Sequence, residues 1–230
     1  MEKLVYMLRT DGDGDALRDA LLEKALPALR GEGIRSPAVL VADGVVTGGG
    51  NRMSALQPAC SAEVSFWMEN SDDRQGCEAI LSSFGEAIEG FLVIESVPMI
   101  SDARRALSGE RSPGFTLVTG ITRLPSLPYE DFLRIWQEDH KQVAVDTQDS
   151  FAYVRNTVVR PLTQGAPGWA AVVEESFPME ALTDPEAWYD AAGDSEKFQR
   201  NLKTMMDSCN RFLDLSVIDT HPMSEYLFGD

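Results

Sequence analysis

Two histidines and three cysteines are all the ready-made metal and thiol chemistry that this 230-residue chain carries. Cys60, Cys77 and Cys209 are odd in number, far apart and without a CxxC pair, which excludes a disulfide framework and fits free thiols in a reducing cytosol. His140 and His221 stand apart from each other and from the cysteines, so no metal-ligand spacing exists. Positive charge is scarce as well. Twenty Lys and Arg face 37 Asp and Glu, for a net charge of −17. That balance speaks against a nucleic-acid or anionic-membrane partner, because phosphate binding needs basic patches. No apolar run approaches the roughly 18 residues of a membrane span, and the first residues lack the order of a secretory signal. A cytoplasmic location is therefore expected.

Two apparent motifs also fail. Gly48-Gly49-Gly50 lacks the Gly-Lys-Ser/Thr ending of a phosphate-binding loop and reads as a flexible connection. Asp11, Asp13 and Asp15 have the spacing of a calcium loop, but Ala16 stands at its glycine position and Leu22 at its final acid. These aspartates read as the cap and first-turn charges of a helix. Neither a Ser-His-Asp hydrolase signature nor a dinucleotide fingerprint is present.

What is present is an ordinary globular composition, 43% apolar and 25% charged, long enough to bury a real core. Strand-like runs at 3–9, 37–42, 62–68 and 91–97 alternate with helical patterns at 16–30 and 72–90, giving the β-α-β-β-α-β order of a ferredoxin-like unit. The order then starts again. Strands are predicted at 115–123, 151–160, 169–177 and 215–220, with helices at 129–145, 185–192 and 196–213. The predicted organisation is a first repeat over 1–100, a polar linker over 101–113 and a second repeat over 114–230. Val93-Ile94-Glu95-Ser96-Val97-Pro98-Met99 also matches Val217-Ile218-Asp219-Thr220-His221-Pro222-Met223, identically at four of seven positions, which favours duplication. A four-stranded sheet with helices on one face leaves the other face bare. The expected fold class is accordingly α+β: two ferredoxin-like repeats packed sheet to sheet as an intrachain α+β barrel with a lumen between them.

Chemistry concentrates between residues 129 and 158. Phe132, Ile135, Trp136 and Val143 form an apolar helical stripe, and His140 lies one turn beyond Trp136. The strand that follows alternates Tyr153, Arg155, Thr157 and Val159. Glu130-Asp131-Phe132, Trp136, Glu138, His140 and then Tyr153-Val154-Arg155-Asn156 resemble the EthD family of the dimeric α+β barrel superfamily, over about residues 114–219. The first half carries only a fold-level echo. The resemblance implies a cofactor-free enzyme that transfers protons (decarboxylation, dehydration or isomerisation) on a small aromatic or lactone-like metabolite. It makes His140 the acid/base, facing the cavity between the sheets. A departure from the family is Thr157, where members often carry a histidine; a mechanism needing two would have to draw on His221.

From the residues themselves, Arg155 suits a substrate carboxylate or an ion pair with Asp139 or Glu174, and Tyr153 suits a developing oxyanion. Trp136, Asp139, Trp169, His221 and Tyr226 complete the expected substrate-binding set. Trp136 and Trp169 also read as core, and His221 as a surface residue after the last strand. The apolar tail Tyr226, Leu227 and Phe228 needs cover, across the cavity mouth or on a second subunit, so a homodimer stays open. Two other readings remain: a non-catalytic protein that binds hydrophobic ligands, and a haem-binding or monooxygenase barrel in which a lone histidine is the axial ligand.

Overall fold

The computed structural model describes residues 1–50, 52–54, 56–100 and 106–229. Residues 101–105 of the expected linker lie outside them. The first half runs β1 (Glu2–Arg9), α1 (Gly14–Ala20), a π-helical turn (Leu21–Ala25), α2 (Leu26–Gly31), β2 (Arg35–Val41), β3 (Cys60–Met68), α3 (Gln75–Leu81) and β4 (Ala87–Met99). The second runs β5 (Phe115–Ile121), α4 (Tyr129–Arg134), a second π-helical segment (Ile135–His140), α5 (Lys141–Thr147), β6 (Ala152–Pro161), β7 (Ala171–Phe177), α6 (Pro185–Trp188), α7 (Ser195–Cys209) and β8 (Asp219–Leu227).

Local chemistry sets several of these boundaries. Asp13 caps α1 by accepting from the Ala16 amide at 2.9 Å, as its position predicts. Pro27 opens α2 without an amide hydrogen to give, and the π turn lies just before it. The third strand of each half alternates between two buried faces, one toward helices and one toward the partner sheet.

The eight strands close into a barrel in the order β1-β3-β2-β8-β5-β7-β6-β4. Within each half the order is the same: β4-β1-β3-β2 in the first and β8-β5-β7-β6 in the second. All pairings are antiparallel. The α+β barrel expected from the element order is therefore the fold. Its two sheets join edge to edge rather than merely stacking. One seam pairs β2 with β8, from Ala38 opposite Leu227 to Val41 opposite Ser224; the other pairs β4 with β6. The matched heptads turn out to occupy different parts of their strands. Val93–Met99 belongs to the stretch of β4 that pairs across the seam, whereas Asp219–Met223 pairs with β5 inside its own half and Val217 sits in a 3₁₀ turn. The similarity of the halves rests on strand order, not on that match.

The lumen is filled, not hollow at its centre. Val5, Met7, Leu40, Phe91, Val118, Val172 and Met223 meet there, and Trp169 stacks on Phe91 with ring centroids 5.4 Å apart. Gly120 makes room, since a Cβ at that position would fall 2.3 Å from the Trp169 ring. Outside the first sheet, Leu4, Tyr6, Leu8, Val64 and Phe66 pack against Leu17, Leu21 and Leu29 of the helices.

The C-terminal region corrects the sequence reading. Residues 215–217 form a 3₁₀ turn, and the last strand starts at Asp219 and continues through Leu227. The two aromatic rings of the tail are covered by their own chain, while Leu227 stays exposed: Tyr226 is buried in the helix-side core of the first half, and Phe228 packs against the same cluster under the Arg30 guanidinium. Neither a second subunit nor the mouth of a cavity is needed to shelter these two rings. No helix among the described residues is long and apolar enough to cross a membrane.

Candidate active site

His140 does not look into the barrel. It lies on the far side of the second sheet, in a cavity of about 350 Å³ between that sheet and its helices, within the usual size range of small-molecule sites, roughly 300–1,000 Å³. The floor is the helix-side face of the sheet: Leu117, Thr119 and Ile121 of β5, Tyr153 of β6, and Val173 and Glu175 of β7. Trp136 and His140 of the π-helical segment close one side. Trp188 and Tyr189 at the end of α6, and Met205, Met206 and Cys209 of α7, close the other. In contrast with the first half, where leucines fill the equivalent layer, aromatic rings and sulfur atoms here leave a space.

The π-helical segment widens the turn that carries Trp136 and His140. The His140 ring meets α7 and the turn after it: Nδ1 is 2.9 Å from Ser208 Oγ, and the ring edge sits on Phe212 at 4.8 Å between centroids. Burial, aided by the Arg211 charge, lowers its pKa to about 4. At neutral pH it is an uncharged imidazole, a far weaker base than the ordinary value near 6.5 implies. Trp136 Nε1 donates to Tyr153 Oη at 3.0 Å. That bond leaves the phenolic hydrogen free to donate into the cavity, and burial raises the Tyr153 pKa, so the phenol stays protonated.

Arg155 shares the face of Tyr153 but does not line the cavity. Its guanidinium donates to Ser96 Oγ at 3.1 Å and to the Gln137 carbonyl at 3.3 Å, and it lies 5.7 Å over the Trp136 ring and 5.8 Å over that of Tyr153. It props the cavity wall from behind. Neither expected ion pair forms: Asp139 points outward to Arg211 at 2.7 Å and Arg134 at 3.8 Å, and Glu174 faces the lumen.

Three more expected ligand contacts are corrected. Trp169 is lumen core, Tyr226 belongs to the first half, and Asp139 is on the surface. His221 is not a surface residue either. It sits inside β8, fully buried in the lumen, on the opposite face of the sheet from His140. It therefore cannot replace the histidine that Thr157 displaces.

Sequence reasoning missed Glu175. It stands in phase with Val173 and Phe177, in register with Leu117 and Tyr153 on the flanking strands, so a carboxyl projects from an otherwise apolar strand face. Burial alone raises its pKa to about 7. The signal was the same period-2 argument that singled out Arg155, applied one strand later.

The lumen holds its own titratable groups, and all but Glu63, whose two carboxyl oxygens have no hydrogen-bond partner, are paired. Arg9 binds Glu89 through Nε at 2.8 Å and Asp219 through Nη2 at 2.7 Å, and Asp219 accepts from His221 Nε2 at 3.0 Å. Burial opposes ionisation of Asp219, but the His221 and Arg9 contacts prevail and hold its pKa at about 2. Lys3 bridges Glu95 and Glu174, and Asn156 Nδ2 donates to Glu174 at 2.6 Å. Glu63 is wholly buried; burial first and the Glu174 charge second keep it in the neutral form. The three thiols are pushed up by burial, Cys77 to about 11 and Cys209 to about 12, with Cys60 also raised, so none is an activated nucleophile.

No protein-family model and no curated protein matches the sequence. Solved structures do. An anthrone oxidase-like protein aligns over 100% of this chain and 94% of its own, with a TM-score of 0.56 and 12% identity. A protein described as a "putative monooxygenase" from Lactobacillus acidophilus NCFM aligns over 99% of this chain and 95% of its own, with a TM-score of 0.51 and 8% identity. At these identities the likeness establishes the fold, that of the dimeric α+β barrel proteins. It does not extend to EthD membership.

For a haem, the lining offers one neutral imidazole whose Nδ1 is already held by Ser208, a suitable axial ligand. Among the described residues it offers no Lys or Arg to meet the haem carboxylates. The residues fit the iron and not its periphery, so no step is taken through haem.

Proposed function

We propose that this chain is an oxidase- or monooxygenase-type enzyme that acts on a small aromatic compound held in the outer cavity of the second half. The observation that carries this is the cavity itself: aromatic and sulfur-lined, of ligand size, with His140, Tyr153 and Glu175 aimed into it and burial holding the imidazole and phenol uncharged. Such displaced titratable groups cluster at functional sites. Two proteins of the same fold are described as anthrone oxidase-like and as a "putative monooxygenase", which puts oxidation ahead of the lyase or isomerase chemistry that EthD-like proteins suggested. In this reading the substrate lies between the walls that Trp136 and Trp188 close. The Tyr153 hydroxyl donates to an oxygen on it, and the neutral His140 ring accepts or donates a second hydrogen bond.

The test uses anthrone in air. One O₂ consumed for each anthraquinone and water formed balances the reaction, and oxygen uptake with quinone absorbance reads it. Purified protein should accelerate both, and His140→Ala should lower kcat by about 100-fold. Saturable anthrone binding without oxygen uptake would instead make the protein a carrier. A Soret band after haemin addition, together with uptake that depends on haemin, would transfer the chemistry to the iron.

A further inference from the structure

One carboxyl in the cavity has no use in the reading above. Glu175 faces His140 from the π-helical segment, Tyr153 from β6, Tyr189 from the end of α6 and Cys209 from α7. None of these is a cation at neutral pH. No hydrogen bond or ion pair joins its carboxyl to another described side chain, and among the described residues no Lys or Arg lines the cavity. The Arg155 guanidinium, which lies over the Tyr153 ring, is engaged by Ser96 and Gln137. The adjacent Glu174 shows what the same chain does when a carboxylate is structural: it receives Asn156 and Lys3. A carboxyl lining an apolar cavity without a partner is costly, and desolvation there leaves it able to exchange a proton near neutrality.

Resting on the aromatic-binding reading of this cavity, we propose that Glu175 is the proton acceptor, and that the substrate class is uncharged weak acids: phenols, or carbonyl compounds acidic at a ring-bound carbon. Aromatic carboxylates are excluded. In the step, the substrate's C–H or O–H bond breaks, its electron pair stays on the substrate as an enolate or phenolate, and an O–H bond forms on Glu175. The site carries one negative charge before and after, moved from the carboxylate to an oxyanion that Tyr153 can meet. A substrate arriving as a carboxylate would instead place a second negative charge beside Glu175, with no cation to offset it.

Proton abstraction is separable from oxidation by working without oxygen. In D₂O under nitrogen, the protein should speed deuterium entry into the anthrone methylene group, followed by NMR, and the rate should rise with pH through about 7 as the carboxylate forms. Glu175→Gln, checked for folding by thermal melting, should lower that rate by about 100-fold. Equal exchange in the variant overturns the assignment. A second measurement needs no variant: at pH 8, quenching of tryptophan fluorescence should show 2-naphthol binding at least about tenfold more tightly than 2-naphthoate, and equal binding overturns the substrate class. Exchange without oxygen uptake would keep this inference and sink the oxidase reading. Uptake without exchange would do the reverse.

Discussion

The second sheet has two buried faces, and they treat charge in opposite ways. On the lumen side, Arg9, Lys3, Glu89, Glu95, Glu174, Asp219 and His221 form ion pairs and hydrogen bonds deep in the protein. On the helix side, Glu175 and His140 are half-buried at the cavity wall; among the described residues the carboxyl has no hydrogen-bond partner and the ring hydrogen-bonds to Ser208. Adjacent residues of one strand, Glu174 and Glu175, fall on either side of this divide. Burial alone therefore does not mark a site. Burial without compensation marks one where the group also lines a cavity of ligand size, as Glu175 does.

The strongest way to break the comparison is to unpair the lumen. Arg9→Met keeps the volume but strands two carboxylates, and should cost about 3–5 kcal/mol in urea unfolding at pH 7. A loss below 1 kcal/mol would mean that the network is not holding the barrel.

The outer cavity should respond with the opposite sign. The raised Glu175 pKa means that the folded state holds this proton more tightly than the unfolded chain. Its contribution is present below about 4.5 and is lost as pH rises through about 7. Glu175→Gln should therefore stabilise the protein at pH 8, by up to roughly 3 kcal/mol at about 1.4 kcal/mol per tenfold change in proton affinity, and leave it unchanged at pH 4. Stabilisation of similar size at both pH values would refute the titration.

The same variant should uncover His140. Its lowered pKa contributes stability above about 6.5 that is lost as pH falls toward 4, a slope that Glu175 partly cancels in the native protein. Melting curves of Glu175→Gln from pH 7 to 4 should show the decline uncancelled, and His140→Phe in that background should flatten it. Smallest of all is Trp136→Phe. It removes the donor to Tyr153 and should cost about 1 kcal/mol; a larger loss would show that the wall needs the indole for packing.

Much of the architecture was legible because it rests on periodicity. Alternation and helical spacing located seven of the eight strands and the main helices, though the helix expected over 72–90 ends at Leu81 and β4 begins at Ala87, and the bare sheet face called for a partner. Strand ends were less legible: Thr220-His221-Pro222 looks like a strand exit, but pairing with β5 carries β8 through the proline, at a point where β2 no longer pairs with the strand's other edge. The site was half legible. Trp136, His140 and Tyr153 do meet, since helix and strand spacing bring them together. Which side of the sheet they meet on depends on how the helices sit, and no local pattern specifies that. Trp169, His221 and Tyr226 were misplaced for the same reason. An aromatic or a histidine looks alike in sequence whether it fills a lumen or lines a cavity.

Closing the barrel by seams within one polypeptide has a further effect. A barrel assembled from two identical chains must repeat every pocket and every plug. Here the leucine-packed layer and the hollow one are encoded separately, so residues that loosen the one need not loosen the other. Substitutions that enlarge or reshape the cavity can accumulate in residues 114–229 while the layer outside the first sheet stays solid and supplies the stability they forfeit.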